Sequence, residues 1–299
     1  MAFRLCPCMS PPRINGGMKM SLDGKTVYLT GATGGIGVPL LCLLMARGAK
    51  VSTYDRGTQG DLMEHIDTTC KSLRENTPDI LINMAGTTDF NHAEHQDYDA
   101  LLTLNLLVPM RLTQAVLPEM RKRNRGQIVN IGCMTGLIAP PHLTGYVAAK
   151  SGLKGFSDAL RRELTGTQIT ISHIAPRAVH TPLNNGKAGI LNRRKDIAED
   201  NPLHVALRIL KAIDSHETDV RIGWPERFCA LINALLPTMI DRVLRKNAAI
   251  GDEILRSENN MAALALAPSV SIPAQAHALD QVQTTTNPAI SPGKMNRQA

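Results

Sequence analysis

A short apolar run that leads into a cluster of glycines constrains the fold of this chain more than any other feature. Lys25–Thr30 (KTVYLT) has the length of a buried strand, and residues 31–37 (GATGGIG) separate it from the helical stretch Val38–Arg47. Glycine permits both a tight turn and a close approach of the backbone to a phosphate, and the start of the next helix offers free N–H groups. The segment therefore predicts a turn that binds the phosphates of a nucleotide.

The glycines have the spacing G-x-x-x-G-x-G rather than the commoner G-x-G-x-x-G, and such a pattern alone also fits an ordinary turn. Its place between a strand and a helix favours the nucleotide-binding interpretation. The residues of the turn that we expect to contact a cofactor are Gly31, Thr33, Gly34, Gly35, Ile36 and Gly37.

Strand-like and helix-like segments alternate along the body of the chain. Strands of this kind separated by helices are typical of a doubly wound parallel sheet, so we expect a single α/β domain of the Rossmann type. Only 3% of the residues are aromatic, which suits an aliphatic core between sheet and helices. The later predicted strands are Lys50–Tyr54, Asp79–Asn83, Gln127–Gly132, Gln168–Ala175 and Val220–Gly223, and the later predicted helices are Glu64–Arg74, Tyr98–Arg121, Tyr146–Leu164 and Pro202–Asp214.

Asp55 stands at the end of the second predicted strand, 24 positions after Gly31. Dinucleotide-binding turns are followed after about 20 residues by an acidic side chain that binds the adenosine ribose. A carboxylate there repels the 2′-phosphate of NADP(H), so the sequence favours NAD(H). Two alternatives remain: Asp55 is a solvated turn residue, or Arg56 serves a 2′-phosphate.

Charge and cysteine usage exclude several other classes. The net charge is +7, but four of these charges lie in residues 1–20 and beyond residue 260, and the short basic clusters lack interleaved aromatics, so no nucleic-acid partner is expected. The six cysteines have neither disulfide nor metal-ligand spacing, which favours a reducing, cytoplasmic location and no metal. We see no run of about 18 apolar residues and expect no membrane span.

The chain divides into a flexible extension over residues 1–20, a folded domain over 21–250 and a disordered tail over 261–299, which is rich in Ala, Pro, Thr, Gln and Ser. Within the domain, Phe228–Lys246 carries apolar pairs every four residues, interrupted by Pro237. This pattern predicts amphipathic helices over about 226–246. Packing against the domain or a dimer partner is favoured over contact with a membrane surface.

Four further elements make residues 21–225 resemble the short-chain dehydrogenase/reductase family. In order, they are Asn83-Met84-Ala85-Gly86, Asn105 within LTLNLLVPM, the pair Tyr146 and Lys150 in YVAAK, and Pro176-Arg177-Ala178-Val179-His180-Thr181. The resemblance implies cofactor contacts from Asp61, Asn83, Ala85, Gly86, Tyr146, Lys150, Pro176, Val179 and Thr181.

The chemistry of carbonyl reduction suits the Tyr146–Lys150 pair. The carbonyl oxygen needs a proton donor, and a free tyrosine with a pKa of about 10 is too weak an acid at neutral pH. A lysine four residues later lies one helical turn away, and its charge stabilises the phenolate. The resemblance adds a water-relay role for Asn105, for which a helix kink or a satisfied core amide is the alternative.

Three positions depart from the family pattern. Cys133 stands 13 residues before Tyr146, where the family has a substrate-binding serine, and Thr135 is an alternative donor. Asp55 and Asn83 are only 28 residues apart, so we expect the helix after the second strand to be missing and the third strand of the family to be rudimentary or absent. Arg177 replaces a glycine, which predicts backbone strain, an anion-binding role or a solvated loop arginine.

The sequence thus predicts an NAD(P)(H)-dependent oxidoreductase that transfers hydride between nicotinamide and a hydrophobic, acyl or lipid-like, ketone or secondary alcohol. The alternative is a nucleotide-binding sensor or assembly subunit whose catalysis is weakened by Cys133. The resemblance also implies a homodimer or homotetramer formed through the helices Tyr98–Arg121 and Tyr146–Leu164.

Overall fold

The computed structural model describes residues 22–54 and 56–266, the side chains of Thr58 and of residues 258–266 excepted. The chain divides into two compact units, Met1–Asn259 and Asn260–Ala299, and every site residue discussed below lies in the first. The predicted extension over residues 1–20, the ribose-binding candidate Asp55 and the part of the predicted tail beyond Leu266 lie outside the described residues.

Six parallel strands form one sheet in the order β2-β1-β3-β4-β5-β6, which confirms the predicted doubly wound α/β fold. Each strand begins within two residues of its predicted position, because short apolar runs bounded by glycine or charged residues leave little choice of register. The strands are β1 (Thr26–Thr30), β2 (Lys50–Tyr54), β3 (Ile80–Asn83), β4 (Gly126–Ile131), β5 (Ile169–Ala175) and β6 (Asp219–Arg221).

Helices cover both faces of the sheet. The described helices are α1 (Gly37–Ala46), α2 (Arg56–Gln59), α3 (Ile66–Glu75), α4 (Tyr98–Leu102), α5 (Val108–Lys122), α6 (Thr135–Ile138), α7 (Thr144–Glu163), α8 (Lys187–Arg194), α9 (Pro202–Asp214), α10 (Trp224–Leu235) and α11 (Pro237–Leu266). On one face, α1 and α9 pack Leu44 and Ile209 over the sheet. On the other face, α3, α5 and α7 bury Leu73, Leu112 and Leu160.

The segment after β2 is as short as the sequence predicts. One helical turn, α2, and the longer α3 connect β2 to β3, and β3 returns beside β1. Among the described residues no strand lies outside β2, so the third strand of the family pattern is absent. The strand order reverses between β1 and β3, and ligands of such sheets bind at the carboxyl ends of the strands at that point.

The C-terminal helices extend further than predicted. Pro237 does not interrupt one helix but begins a new one. Proline is well tolerated at the first position of a helix, because an N–H group there would have no hydrogen-bond partner within the helix. The backbone of α11 remains helical through residues 261–266 (MAALAL), a segment that the sequence pattern places in the disordered tail. Alanine, leucine and methionine are strong helix formers, and this local preference explains the correction.

One helical run bears on the expectation that the chain has no membrane span. The helical run Tyr98–Lys122 is long and apolar enough to cross a membrane by length and composition, with a window of mean hydropathy 1.4. However, Leu112, Val116 and Met120 of this run are buried in the core of the domain, and core helices of folded proteins pass the same test. The run is therefore weak evidence for a membrane span.

Candidate active site

Two adjoining cavities lie at the carboxyl ends of the strands. The larger has a volume of about 460 Å³ and follows the glycine turn after β1, and the smaller has a volume of about 170 Å³ and lies beside α7. Residues that line both are Ile36, Met84, Gly86, Thr181 and Leu183. The two cavities thus form one continuous crevice.

The glycine turn lines the larger cavity and is packed too tightly for side chains. A Cβ atom at Gly31 would lie 2.8 Å from the backbone nitrogen of Ala85, and one at Gly37 would lie 2.1 Å from the carbonyl oxygen of Gly31. Helix α1 then begins without a side-chain cap and without an acidic residue in its first turn. Its positive end therefore faces the cavity and suits the pyrophosphate of a dinucleotide.

The far end of the larger cavity is lined by Tyr54, Arg56, Asp61 and Leu62. The Tyr54 hydroxyl donates to the Gln59 carbonyl at 3.0 Å, and an Asp61 carboxylate oxygen accepts from the Met63 N–H at 2.9 Å. These bonds hold the shortened connection against the cavity wall. Asp61 was predicted from the sequence but Tyr54 was not, because only the fold shows that the connection turns back over the strand end.

Tyr146 and Lys150 lie one turn apart on α7 and line the smaller cavity. Lys150 is 5% exposed, its ammonium donates to the Ile131 carbonyl at 3.1 Å, and its Nζ lies 5.6 Å from the centroid of the Tyr146 ring. Burial lowers the pKa of Lys150 to about 8. Burial also raises the pKa of Tyr146 well above its usual value, so the hydroxyl is protonated at neutral pH.

Cys133 is the immediate neighbour of the Tyr146 hydroxyl. The electrostatic interaction and the hydrogen bond with Cys133 add to the rise in the pKa of Tyr146 that burial causes. Thr135 lines the same cavity, and its buried hydroxyl has no hydrogen-bond partner among the described residues. The structure therefore brings both predicted donors to the cavity and places Cys133 next to Tyr146.

Asn105 occupies a π-helical turn, Thr103–Leu107, between α4 and α5. It is fully buried, and its amide nitrogen donates to the carbonyls of Thr87 and Leu101, each at 2.9 Å. Its Oδ1 atom has no hydrogen-bond partner among the described residues. A Cβ atom added at Gly86 would lie 2.5 Å from this Oδ1 atom and 3.6 Å from the Nζ of Lys150. Only half of the amide is satisfied, and its free acceptor borders the backbone of Gly86 on the side of Lys150.

Asn83, like Asn105, is a described candidate that lines neither cavity. It ends β3, and its amide donates to the Oδ1 of Asn130 at 2.8 Å, while the Asn130 amide donates to the Ser157 hydroxyl at 2.9 Å. This chain of polar groups joins β3, β4 and α7 beneath the crevice. A buried amide needs partners; the nitrogen of Asn83 finds one in the interior of the domain, whereas its Oδ1 atom has none among the described residues. Asn83 thus helps to support the sheet, and its cofactor contact stays a prediction.

The loop after β5 reaches the crevice as the resemblance implies. Pro176 and Val179 line the smaller cavity, Thr181 lines both, and the Thr181 side chain lies 2.4 Å from where a Cβ at Gly35 would stand. Arg177 behaves differently from two of its predicted alternatives. Its φ is not positive, so its backbone is not strained there. Its guanidinium is ion-paired and is not that of a solvated loop arginine.

Ion pairs hold Arg177 between the loop and α10. Its guanidinium lies 2.7 Å from the Asp200 carboxylate and 3.6 Å from that of Glu226, and its side chain is 20% exposed. These carboxylates raise the pKa of the guanidinium. Arg177 also lines the smaller cavity, but its charge is already balanced, so it has little left for an anionic substrate.

Comparison with known proteins now identifies the family. The family model described as short chain dehydrogenase matches residues 60–189. The 3-oxoacyl-[acyl-carrier-protein] reductase FabG of Escherichia coli (strain K12) is 32% identical over 202 residues, covering 58% of this chain and 82% of that protein. The chain belongs to the short-chain dehydrogenase/reductase family. It is thus an NAD(P)-dependent oxidoreductase acting on CH–OH or C=O groups.

Other relatives agree with this assignment. Ketoacyl reductase HetN of Nostoc sp. (strain PCC 7120) is 28% identical over 287 residues, covering 81% of this chain and 95% of that protein. A short-chain dehydrogenase from Sphingobium yanoikuyae in complex with NADPH has a TM-score of 0.62 and 26% identity, covering 73% of this chain and 95% of that one. A 4-hydroxyisoleucine dehydrogenase complexed with NADH shares the fold, with a TM-score of 0.60 and 23% identity over 67% of this chain and 97% of that one.

Proposed function

We propose that this enzyme transfers hydride between NAD(H) and the carbonyl or secondary alcohol carbon of an acyl or lipid-like substrate, with Tyr146 as the acid and base. The observation that carries the proposal is the meeting of Tyr146, Lys150 and Cys133 at one cavity that continues into the glycine turn. A bound nicotinamide supplies or accepts the hydride.

The protein's own residues handle the proton. Because the pKa of Tyr146 is raised, its hydroxyl is protonated and positioned to give a proton to a substrate oxygen. The phenolate left behind is stabilised by the Lys150 ammonium, which carries its charge below pH of about 8, where its pKa lies. Cys133 donates a weaker hydrogen bond to the substrate oxygen than serine would. The free Oδ1 of Asn105 accepts a hydrogen bond from a relay water near Lys150.

The cofactor contacts divide along the crevice. Gly31, Thr33, Gly34, Gly35, Ile36 and Gly37 hold the phosphates, Asp61 with Tyr54 and Leu62 borders the adenosine end, and Ala85, Gly86, Pro176, Val179 and Thr181 border the nicotinamide end. The preference for NAD(H) rests on the carboxylate of Asp55. Its test is the ratio of NADH to NADPH affinity in Asp55→Asn, which should fall by about tenfold if the carboxylate repels the 2′-phosphate. An unchanged ratio would assign the preference elsewhere.

An apolar substrate suits the smaller cavity. Beyond the catalytic residues its lining includes Leu143, Leu183 and Ala188. Two relatives are named as reductases of 3-oxoacyl or ketoacyl compounds, and we carry that substrate class over as part of the proposal.

Assembly and compartment complete the proposal. We expect a homo-oligomer formed through α4, α5 and α7, because Leu102, Leu107 and Met110 remain 36–48% exposed on this side of the domain. Cysteines 42, 70, 133 and 229 are all free, which suits a reducing, cytoplasmic location.

The deciding experiment combines binding and turnover. Purified protein is titrated with NADH and NADPH, and turnover of a panel of medium-chain ketones is measured for the wild type and Tyr146→Phe. Loss of the phenol should reduce kcat/KM by about 10³–10⁴ and leave cofactor affinity unchanged. Tight NADH binding without turnover by the wild type would favour the alternative function, a nucleotide-binding sensor weakened by Cys133. Absence of binding would contradict both.

A further inference from the structure

Two histidines and an aspartate meet outside the catalytic cavity. His92 precedes a 3-10 turn (Ala93–His95), His142 lies two residues before α7, and Asp252 lies on α11. The His142 Nε2 is 3.4 Å from an Asp252 carboxylate oxygen, and the His92 Nδ1 is 3.9 Å from the same oxygen. One ligand atom from each residue lies within 4.8 Å of the others.

These separations match a zinc site. Zn–N bonds of about 2.0–2.1 Å and Zn–O bonds of about 2.0–2.2 Å place neighbouring ligand atoms about 3.4 Å apart in a tetrahedron. The contacts of Asp252 already lie at or near this value. Only His92 needs to move inward, and its side chain is 35% exposed.

The surroundings of His142 show a built site rather than a chance cluster. Its backbone has a φ of 64°, an unusual conformation for a non-glycine residue, and its carbonyl accepts hydrogen bonds from Asn91 and Gln96. Its ring packs 5.2 Å from that of Phe90. Helix α11 approaches the ring so closely that a Cβ at Gly251 would lie 2.2 Å from it. Strained residues of this kind persist where the surroundings hold them for a purpose.

We propose that His92, His142 and Asp252 bind a divalent zinc ion, with a water as the fourth ligand. The Nε2 of His142 lies 3.0 Å from the carbonyl oxygen of Ala248 and exchanges that contact for the metal. Sequence patterns do not reveal this site, because its ligands are 50 and 110 residues apart in the chain.

The ion fastens α11 to the loop that precedes the catalytic tyrosine. Ile254 and Leu255 of α11 are buried against Phe90 and Leu143, and the partly buried Tyr146 packs against the same cluster. The proposed ligands come from both sides of this contact, so the metal ion links the two sides and stabilises the contact only when it is bound. Zinc thus stabilises the wall of the substrate cavity without entering it.

The test uses the full chain, stripped of metal with a chelator. We expect the wild type to bind one more equivalent of Zn²⁺ than Asp252→Asn or His92→Ala, and Co²⁺ to give the visible absorption of a tetrahedral site. With zinc at a hundredfold its Kd, Tm should rise by about 5–10 °C. His95→Ala, which removes an exposed histidine three residues from His92, should behave as the wild type. Equal zinc stoichiometry and equal Tm shifts in all four proteins would overturn the proposal.

A second, independent observation concerns α10. Trp224, Phe228, Leu231 and Leu235 recur at helical spacing on one side of α10 and are 52–78% exposed. The opposite side is the one that packs, since Ala230 is buried and the Asn233 amide donates to the Leu137 carbonyl at 3.0 Å. The apolar side therefore does not pack against the domain, contrary to one of the two favoured expectations. Met239 and Val243 at the start of α11 are also exposed, at 50% and 65%.

Charge indicates what covers this apolar side. Between residues 224 and 246 the exposed charged side chains are four bases and one acid: Arg227, Arg242, Arg245, Lys246 and Asp241. An exposed apolar helix face with adjacent basic side chains suits an anionic lipid surface. We infer that α10 and the start of α11 dock the enzyme on anionic membranes.

Trp224 provides the measurement, because it is the single tryptophan of the chain. Its emission should shift to the blue with phosphatidylserine-containing vesicles, less with phosphatidylcholine alone, and the shift should weaken with salt. Phe228→Ser with Leu231→Ser should weaken vesicle binding by at least about tenfold. Leu203→Ser with Leu207→Ser, an exposed pair on α9, is the matched control. If the emission shifts to the blue with rising protein concentration in the absence of vesicles, and the molecular mass in solution doubles, the apolar side of α10 binds a second copy of the chain instead. That result, or no shift at all, would overturn the inference.

Discussion

The two ends of the crevice are built in different ways. At the cofactor end, the backbone of Gly31 and Gly37 contacts neighbouring backbone so closely that no Cβ fits. At the substrate end, side chains from separate segments of the chain meet, among them Cys133, Tyr146 and Arg177. Backbone contacts tolerate no substitution, whereas side-chain contacts can be exchanged one at a time. We therefore expect mutations at the cofactor end to affect folding and those at the substrate end to affect chemistry.

The largest effect on folding is expected for Gly37→Ala. The new Cβ would lie 2.1 Å from the Gly31 carbonyl oxygen and 2.7 Å from backbone atoms of Ala32, none of which can rotate away. We expect the free energy of unfolding, measured with urea, to fall by at least about 3 kcal/mol. A stable variant with normal NADH affinity would show that the turn is more compliant than its packing indicates.

Cys133→Ser tests the substrate end. A hydroxyl is a better donor than a thiol, and one good donor to a developing oxyanion is worth about a hundredfold in kcat. We expect a gain in turnover of up to about that size with little change in stability. Thr135→Val is the matched control, since it removes the hydroxyl of the alternative donor in the same cavity. A loss of turnover in Cys133→Ser would show that the thiol itself contributes to catalysis.

Lys150→Met separates stability from catalysis at one position. The pKa of Lys150 is about 8 in the folded chain, against 10.5 for a lysine exposed to water. Between pH 8 and 10.5 the unfolded chain therefore binds more protons than the folded chain. At pH 7, where both are protonated, burial of the charge costs about 3 kcal/mol of folding free energy. The variant loses the bond to the Ile131 carbonyl, worth about 1 kcal/mol, and should be more stable by about 2 kcal/mol.

The pH dependence checks the sign of this prediction. The wild type should gain stability as pH rises from about 8 to 10.5, so the advantage of Lys150→Met should disappear in alkali, while its turnover stays very low throughout. Urea unfolding across this range measures it. An advantage that persists at high pH would have to come from packing and not from charge. For the same reason, wild-type reduction should slow as pH rises through about 8.

The smallest effect is expected for a glycine outside the crevice. Gly155 lies inside α7 with no atom near its missing Cβ, so Gly155→Ala should stabilise the protein by about 0.5–1 kcal/mol through the lower entropy of the unfolded chain. The change in Tm measures it. If Gly155→Ala destabilises the protein instead, the space around the missing Cβ does not explain the large effect expected at Gly37.

Local patterns explain why so much of the fold could be predicted. Apolar runs placed β1, β2 and β5, and the short span from Asp55 to Asn83 indicated the missing strand, because all these depend on neighbours in the sequence. Spacing along one helix placed Tyr146 beside Lys150. Cys133 could be predicted as the counterpart of the family's serine because the strand before it fixes where the chain enters the crevice.

What the sequence did not predict depends on partners that are distant in sequence. The Asn83 amide nitrogen donates to Asn130, and Arg177 balances its charge with Asp200 and Glu226, which lie outside the motifs of these residues. The π-helical turn at Asn105 and the contact of α11 with His142 likewise arise only after the helices have packed. Sequence patterns of single elements cannot report such contacts.

The loss of the third strand has a consequence for how these molecules behave at high concentration. It makes β2 the border of the sheet, with one row of its backbone N–H and C=O groups facing away from β1. Borders of this kind invite pairing with other chains. Here the border strand β2 is only five residues long and starts with the exposed Lys50. When the β2 strands of two copies approach each other, their Lys50 charges repel. A shortened sheet has therefore kept a built-in defence against aggregation.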